Sequence, residues 1–157
     1  MELNKKLNLV ASKFLSAAVL RLYPNAKLAG EELIDNGFRS IFKLPEDVKL
    51  SINDFPKIKK NIEKLLSSTQ TIKFEKMSLS ELKNKYSDNK FYTLYLEGFK
   101  TDPVAVIKIG EFVLPCDSLG DEKLPNAKYV TLHSIGGFYW QGNAENEKLV
   151  AIDGWVV

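Results

Sequence analysis

The sequence predicts an α+β fold in which a helix packs across a mainly antiparallel sheet, and three observations predict it. Apolar residues near the start recur at three- and four-residue steps, the mark of an amphipathic helix. Two segments with helix-capping signatures follow. From Phe91 onward the pattern changes to period two with β-rich composition. Helices first and sequential strands later favour this class over a doubly wound parallel sheet.

The first helix is expected from about Leu7 to Leu22, with Leu7, Val10, Ala11, Phe14, Leu15, Ala18 and Leu22 on one broad apolar face. Pro24 ends it. Leu9, Lys13, Ser16 and Leu20 line a second strip on its other side. Between Leu28 and Lys43, Asn36-Gly37 separates two short apolar runs and reads as a hairpin turn. A second helix should start near Ser51 to Asn53, because Ser51 and Asp54 stand at capping-box spacing. Its buried stripe would be Phe55, Ile58, Ile62 and Leu65 or Leu66, leaving Lys57, Lys59, Lys60 and Lys64 outward. Ser78 and Glu81 cap a third, short helix carrying Leu82 and Tyr86. Strands are expected over Phe91–Leu96, Val104–Ile109, Glu111–Leu114, Tyr129–His133 and Leu149–Ile152, with Gly110 in a tight connection.

At 157 residues the chain is read as one domain, 1–157, large enough for a substantial core. Its 45% hydrophobic and 27% charged residues are those of an ordinary globular protein. A net charge of +2 argues against a strong nonspecific nucleic-acid binder, and no DNA partner is expected. One cysteine, Cys116, excludes an internal disulfide and a cysteine-rich metal site. The apolar run Phe14 to Leu20 is too short for a bilayer, so no membrane partner is expected, and a reducing cytoplasm fits.

The segment from Ser134 to Trp155 holds Gly136-Gly137, the aromatic pair Tyr139-Trp140, and a Gly-Asn turn before an apolar strand. It resembles the end of the editing domain of threonyl-tRNA synthetases, where V-A-G-A-Y-W-R-G precedes a last strand. Ala11 to Pro24 is similar to the family's helix ending in L-Y-P, and Ile34 to Phe38 to its I-E-N-G-F. Ser51 to Leu66 resembles its T-x-x-D-L-P-x-I-E-K helix, Met77 to Leu82 its S-R-x-E-A segment, and Phe112 to Cys116 its F-x-D-L-C strand. The resemblance covers nearly the whole chain and implies the threonyl/alanyl synthetase editing-type fold without a class II catalytic domain, so no amino-acid activation. Whether the chain is a stand-alone product or a fragment stays open.

The family hydrolyses serine wrongly attached to threonine tRNA. One methyl group is worth only about 1–3 kcal/mol of discrimination, so a second hydrolytic site supplies the missing fidelity. The family's chemistry rests on H-x-x-x-H and D-x-C-x-x-x-H. In register these positions carry Leu9, Lys13, Leu114, Cys116 and, at or beside the last histidine, Gly120. The family's aromatic pair becomes Arg39-Ser40, and a lysine falls near Tyr92. Only Cys116 is retained.

Each candidate carries two readings. Cys116 is either a small apolar residue at a strand end or a nucleophile needing a nearby base. Lys13 is either a solvated helix lysine or a cation for a tRNA phosphate. His133, the only histidine, is expected to be structural or at the surface, and with Cys116 it gives two ligands, too few for zinc. Tyr139 and Trp140 either pack in the core or stack on the terminal adenosine of a tRNA. No metal and no cofactor are implied.

Three functions follow. The first is a catalytically degenerate editing-like module that binds a tRNA acceptor end or a synthetase partner, with Lys13, Arg39, Tyr92, Tyr139 and Trp140 as tRNA contacts. The second is an active trans-editing deacylase acting through Cys116, Lys13, Asp117 and bound water. The third is a protein-interaction domain with no RNA role.

Overall fold

A computed structural model describes residues 3–116 and 123–157. Helix α1 spans Leu3–Leu22 and is followed by the hairpin β1 (Lys27–Ile34) and β2 (Gly37–Lys43). Helix α2 (Phe55–Ser67), strand β3 (Ile72–Met77), and helices α3 (Leu79–Lys85) and α4 (Lys90–Glu97) come next. Strands β4 (Val104–Ile109), β5 (Phe112–Pro115), β6 (Val130–Tyr139) and β7 (Lys148–Val156) complete the chain order. They form a four-stranded sheet ordered β1-β2-β7-β6 and a three-stranded sheet ordered β3-β4-β5, with every pairing antiparallel. The architecture is α+β, with helices packed against antiparallel sheets.

Helix α1 is the centre of the molecule. Every residue from Val10 to Val19 is buried, not one face alone. The helix lies on β1, β2 and β7, meets α2 at its side and touches β4. A helix enclosed on this scale must be apolar or internally satisfied nearly all round, and the run from Ala17 to Leu20 meets that need. Asn8 ties the helix to the sheet, its Oδ1 accepting the Val156 amide at 2.9 Å. Phe14, Leu15, Phe38, Phe42, Ile58, Ile62, Ile107 and Ile152 belong to one contiguous core that draws on both sheets.

The caps act as their spacing predicts. The Ser51 side chain accepts the Asn53 amide, and Asp54 Oδ2 accepts the Ser51 amide at 2.8 Å. The box first closes a short 3-10 turn over Ile52–Asp54, and α2 runs on from it with Ile58, Ile62 and Leu65 buried. Ser78 accepts the Glu81 amide at the start of α3. At the β1–β2 turn Asn36 takes φ 59°, a left-handed conformation that asparagine tolerates. Two of the α2 lysines do more than face water. Lys59 donates to the Val130 carbonyl, and Lys57 Nζ lies 5.2 Å from the centroid of the Tyr23 ring.

Three expectations are corrected. Phe91–Leu96 is not a strand but the body of α4. Its aromatic and β-branched residues suit a strand by propensity. Asn89 decides otherwise, because its Oδ1 accepts the Phe91 and Tyr92 amides and opens a helix. The four-residue step from Tyr92 to Leu96 then buries both. Strand β3, not among the expected strands, pairs with β4 from Ile72↔Ile109 to Met77↔Val104. Strands β6 and β7 are also longer than the apolar runs suggest, since Gly136↔Ala151 and Gly137↔Val150 extend the ladder through the paired glycines.

Candidate active site

The second strip of α1 meets strand β1 in a buried polar cluster. Its chemistry is set by a defect in strand β1. Leu28 pairs with Phe42, but Gly30 pairs with Ile41 and Glu31 with Ser40, so Ala29 has no partner. Side chains alternate along a strand, and this β-bulge shifts the phase by one residue. Glu31 therefore joins Leu28 on the core face beside Ser40, and Glu32 is left exposed.

Glu31 is the hub of a buried polar cluster. Lys13 Nζ donates to its Oε1 at 2.9 Å, with side-chain exposures of 1% for Lys13 and 0% for Glu31. The Tyr92 hydroxyl donates to the same oxygen at 2.6 Å. Ser16 Oγ lies 2.8 Å from Oε2, 3.0 Å from Ser40 Oγ and 2.9 Å from the Ser12 carbonyl. Ser16 has one proton, and the carboxylate is the strongest acceptor in reach. Ser40 is left to donate to the Ser12 carbonyl, 2.9 Å away. Among the described residues no buried side-chain polar atom lacks a partner. That is the condition under which a buried ion pair is tolerable.

The electrostatics follow from this packing. Burial works against the Lys13 charge, yet Glu31, with Tyr95 and Cys116, outweighs it and holds the ammonium protonated well above the usual lysine range. Burial pushes the Tyr92 phenol far up, and Glu31 adds to it. Burial also raises Tyr86. Aromatic rings wall the cluster, with centroids 4.4 Å apart for Tyr86 and Tyr92, 4.9 Å for Tyr92 and Tyr95, and 5.4 Å for Tyr95 and Phe99. Lys13 Nζ stands 6.0 Å from the centroid of the Tyr95 ring.

The structure thus brings together Lys13 and Tyr92, with Cys116 in electrostatic reach of Lys13. Lys13 is neither solvated nor open to a phosphate, because it is enclosed and already neutralised. Tyr92 is equally enclosed, and Cys116 is 2% exposed. Asp117 lies outside the described residues. Arg39 is elsewhere, clamped by Asp153 through Nε and Nη2 at 2.7 and 2.9 Å and touching Glu32 at 3.1 Å. Tyr139 is 44% exposed and Trp140 half-buried, its ring 4.9 Å from Phe91 and 5.3 Å from Lys90 Nζ. His133 is exposed and packs on Trp155 at 4.8 Å.

Sequence reasoning missed Glu31. Its only signal was the pair Glu31-Glu32 inside an apolar strand, where one carboxylate must face inward. Among the described residues no group of three or more His, Cys, Asp or Glu could hold a metal ion. No helix there is long and apolar enough to cross a membrane.

No family model matches the chain. It is 30% identical over 153 residues to the threonine–tRNA ligase of Ureaplasma parvum serovar 3, covering 96% of this chain and 26% of that protein. Over 149 residues it is 34% identical to the threonine–tRNA ligase of Clostridium acetobutylicum, covering 92% of this chain and 23% of that protein. Over 142 residues it is 31% identical to that of Thermotoga neapolitana, covering 89% of this chain and 22% of that protein. The chain is therefore homologous, along nearly all of its length, to a segment that makes up about a quarter of these threonine–tRNA ligases.

Proposed function

We propose that the chain is a one-domain module like the editing domain of threonyl-tRNA synthetases, that its hydrolytic site is degenerate, and that it holds a tRNA acceptor end in the cytoplasm. The observation that carries this reading is the fate of Lys13. A proton-handling or phosphate-binding group must reach its substrate, and the Lys13 ammonium is committed to Glu31 behind the Tyr92 ring. The tRNA end is then held from the surface. Tyr139 and Trp140 offer rings for a splayed base, with Lys90, ion-paired to Glu147, beside Trp140, and Arg39, ion-paired to Asp153 and Glu32, on the outer sheet face. The test is deacylation of serine-charged threonine tRNA, with a gel shift as the binding arm. Background hydrolysis with salt-sensitive binding is expected. Serine release well above background refutes degeneracy, and absence of a shift refutes the RNA role in favour of a protein partner.

One observation favours a second reading, that of a trans-editing deacylase. Cys116, the one residue retained from the resemblance, lies within electrostatic reach of Lys13. With Asp117, these residues would form a rebuilt site. Cys116→Ala and Lys13→Ala should then each slow hydrolysis about tenfold or more, equal to about 1.4 kcal/mol of barrier. Unchanged rates in both variants exclude it.

A further inference from the structure

We propose that the buried Glu31 cluster is a binding site for a primary alkylammonium group and that Lys13 occupies it as a tethered ligand. This inference stands on the geometry of the cluster and does not depend on whether hydrolysis is lost.

The surroundings of Lys13 Nζ are those of an amine-recognition site. A fully buried carboxylate oxygen accepts at 2.9 Å, and an aromatic ring flanks it at 6.0 Å from its centroid. The carboxylate is itself fixed from two other directions, by the Tyr92 hydroxyl on Oε1 and by Ser16 on Oε2. Three elements supply this frame independently of Lys13: the β1 bulge places Glu31, Asn89 starts the helix that presents Tyr92, and Ser40 backs Ser16 from β2. Among the described residues Lys13 is the one cation ion-paired to Glu31, and it enters as a single unbranched chain from α1. With those contacts kept, shortening the Lys13 side chain would leave a cavity that ends on a carboxylate. Apolar walls and one convergent charge are what a small-molecule cavity needs, and truncation cavities in protein cores do take up matching ligands.

Because the tether defines the missing atoms, the site predicts the length of its ligand. Lys13→Ala removes three carbons and the nitrogen, the atoms of n-propylammonium. Lys13→Gly removes one carbon more and matches n-butylammonium. In the intact chain the tether holds its own ammonium at an effective concentration no free amine matches, so the wild-type site is closed to external amines.

The experiment is thermal unfolding of the full chain with added alkylammonium chlorides at pH 7.5, with 1-propanol and sodium chloride as controls. At about 100 times its dissociation constant, n-propylammonium should raise the Tm of Lys13→Ala by roughly 5–10 °C. For Lys13→Gly the best ligand should shift to n-butylammonium. Wild type, Lys13→Ala/Glu31→Gln and the apolar reference Lys13→Met/Glu31→Leu should not respond. Should Lys13→Ala be unfolded alone, recovery of its far-ultraviolet dichroism on adding the amine counts as binding. A response equal to that of 1-propanol, a response that survives Glu31→Gln, no dependence on chain length, or a variant that stays unfolded at saturating amine overturns the proposal. None of these readouts involves tRNA, so the result is separate from that of the deacylation assay.

Discussion

Tyr92 and Lys13 share one oxygen of Glu31, which accepts the phenol at 2.6 Å and the ammonium at 2.9 Å. The two donors come from helices far apart in sequence and meet on a strand that needed a bulge to turn its carboxylate inward. Removing Glu31 strands both donors. Glu31→Gln leaves the Lys13 charge buried without a counter-ion and should cost about 3–5 kcal/mol in urea unfolding. The apolar double variant Lys13→Met/Glu31→Leu should recover most of that loss, since a well-packed apolar pair often equals a buried ion pair. A double variant no more stable than Glu31→Gln would contradict this account.

Tyr92→Phe keeps the ring stack and deletes one bond to a charged acceptor. It should cost about 1.5–3 kcal/mol, the range for hydrogen bonds to ionised groups. Tyr86 donates to a neutral acceptor, the Val113 carbonyl, at 2.7 Å. Tyr86→Phe should therefore cost less, about 1 kcal/mol. Urea midpoints of the two single variants, measured side by side, check the order.

The same groups set the alkaline limit. Lys13, Tyr86 and Tyr92 all hold their protons in the folded state to higher pH than in the unfolded chain. A raised folded pKa gives stability that is complete below the unfolded value, about pH 10 for Tyr and Lys, and lost as pH climbs toward the folded value. Three such groups should make stability fall by about 4 kcal/mol per pH unit above about pH 10.5. Tyr86→Phe should reduce that slope by about one third, read from urea midpoints between pH 9 and 11.5. A slope unchanged in Tyr86→Phe would remove that phenol from the alkaline transition.

Gly154 has no room for a methyl group. A Cβ there would lie 2.4 Å from the Thr131 carbonyl oxygen and 2.8 Å from the Phe38 ring. Gly154→Ala must push β6 and the core apart and should cost about 1–3 kcal/mol, toward the upper end because one obstacle is backbone. Gly136→Ala is the control, since nothing lies within 4 Å of its Cβ position. Its midpoint should move by less than about 0.5 kcal/mol.

Arg39 and Asp153 are cross-strand partners as well as a two-point ion pair. About a third of the Arg39 side chain is exposed, so screening by solvent limits its worth. Arg39→Ala should cost about 0.5–1 kcal/mol at low salt and less in 1 M NaCl. Arg39→Lys should recover little, since one ammonium cannot reproduce the paired bonds of the guanidinium.

Elements announced by local chemistry were legible in the sequence: the Asn36-Gly37 turn, the Ser51 and Ser78 caps, and the β-rich apolar run Val104–Ile109. Those where two local signals compete, or that tertiary context decides, were not. Phe91–Leu96 reads as a strand until Asn89 is recognised as a cap, and the propensity of its aromatics points the wrong way. The resemblance brought Lys13, Ser40 and Tyr92 into view as replaced positions. What joins them is Glu31, which lies in no quoted motif and faces inward only because Ala29 is skipped in the register. A bulge has no composition of its own, so the centre of the cluster was hidden while its rim was visible. The environment of Lys13 was misjudged for the same reason, since a lysine between Leu9 and Ser16 on a helix strip gives no sign of a carboxylate arriving from a strand.

The order of the large sheet has a kinetic corollary. Strand β7 lies between β2 and β6 yet comes after every other element along the chain. The β1–β2 hairpin can form early from neighbours in sequence, but its other edge waits for a partner more than a hundred residues downstream, at Phe38↔Gly154. Closing so long a loop is entropically slow, and non-local pairings of this kind place a protein among the slower folders. Until β7 arrives, the exposed β2 edge and the apolar flank of α1 invite self-association.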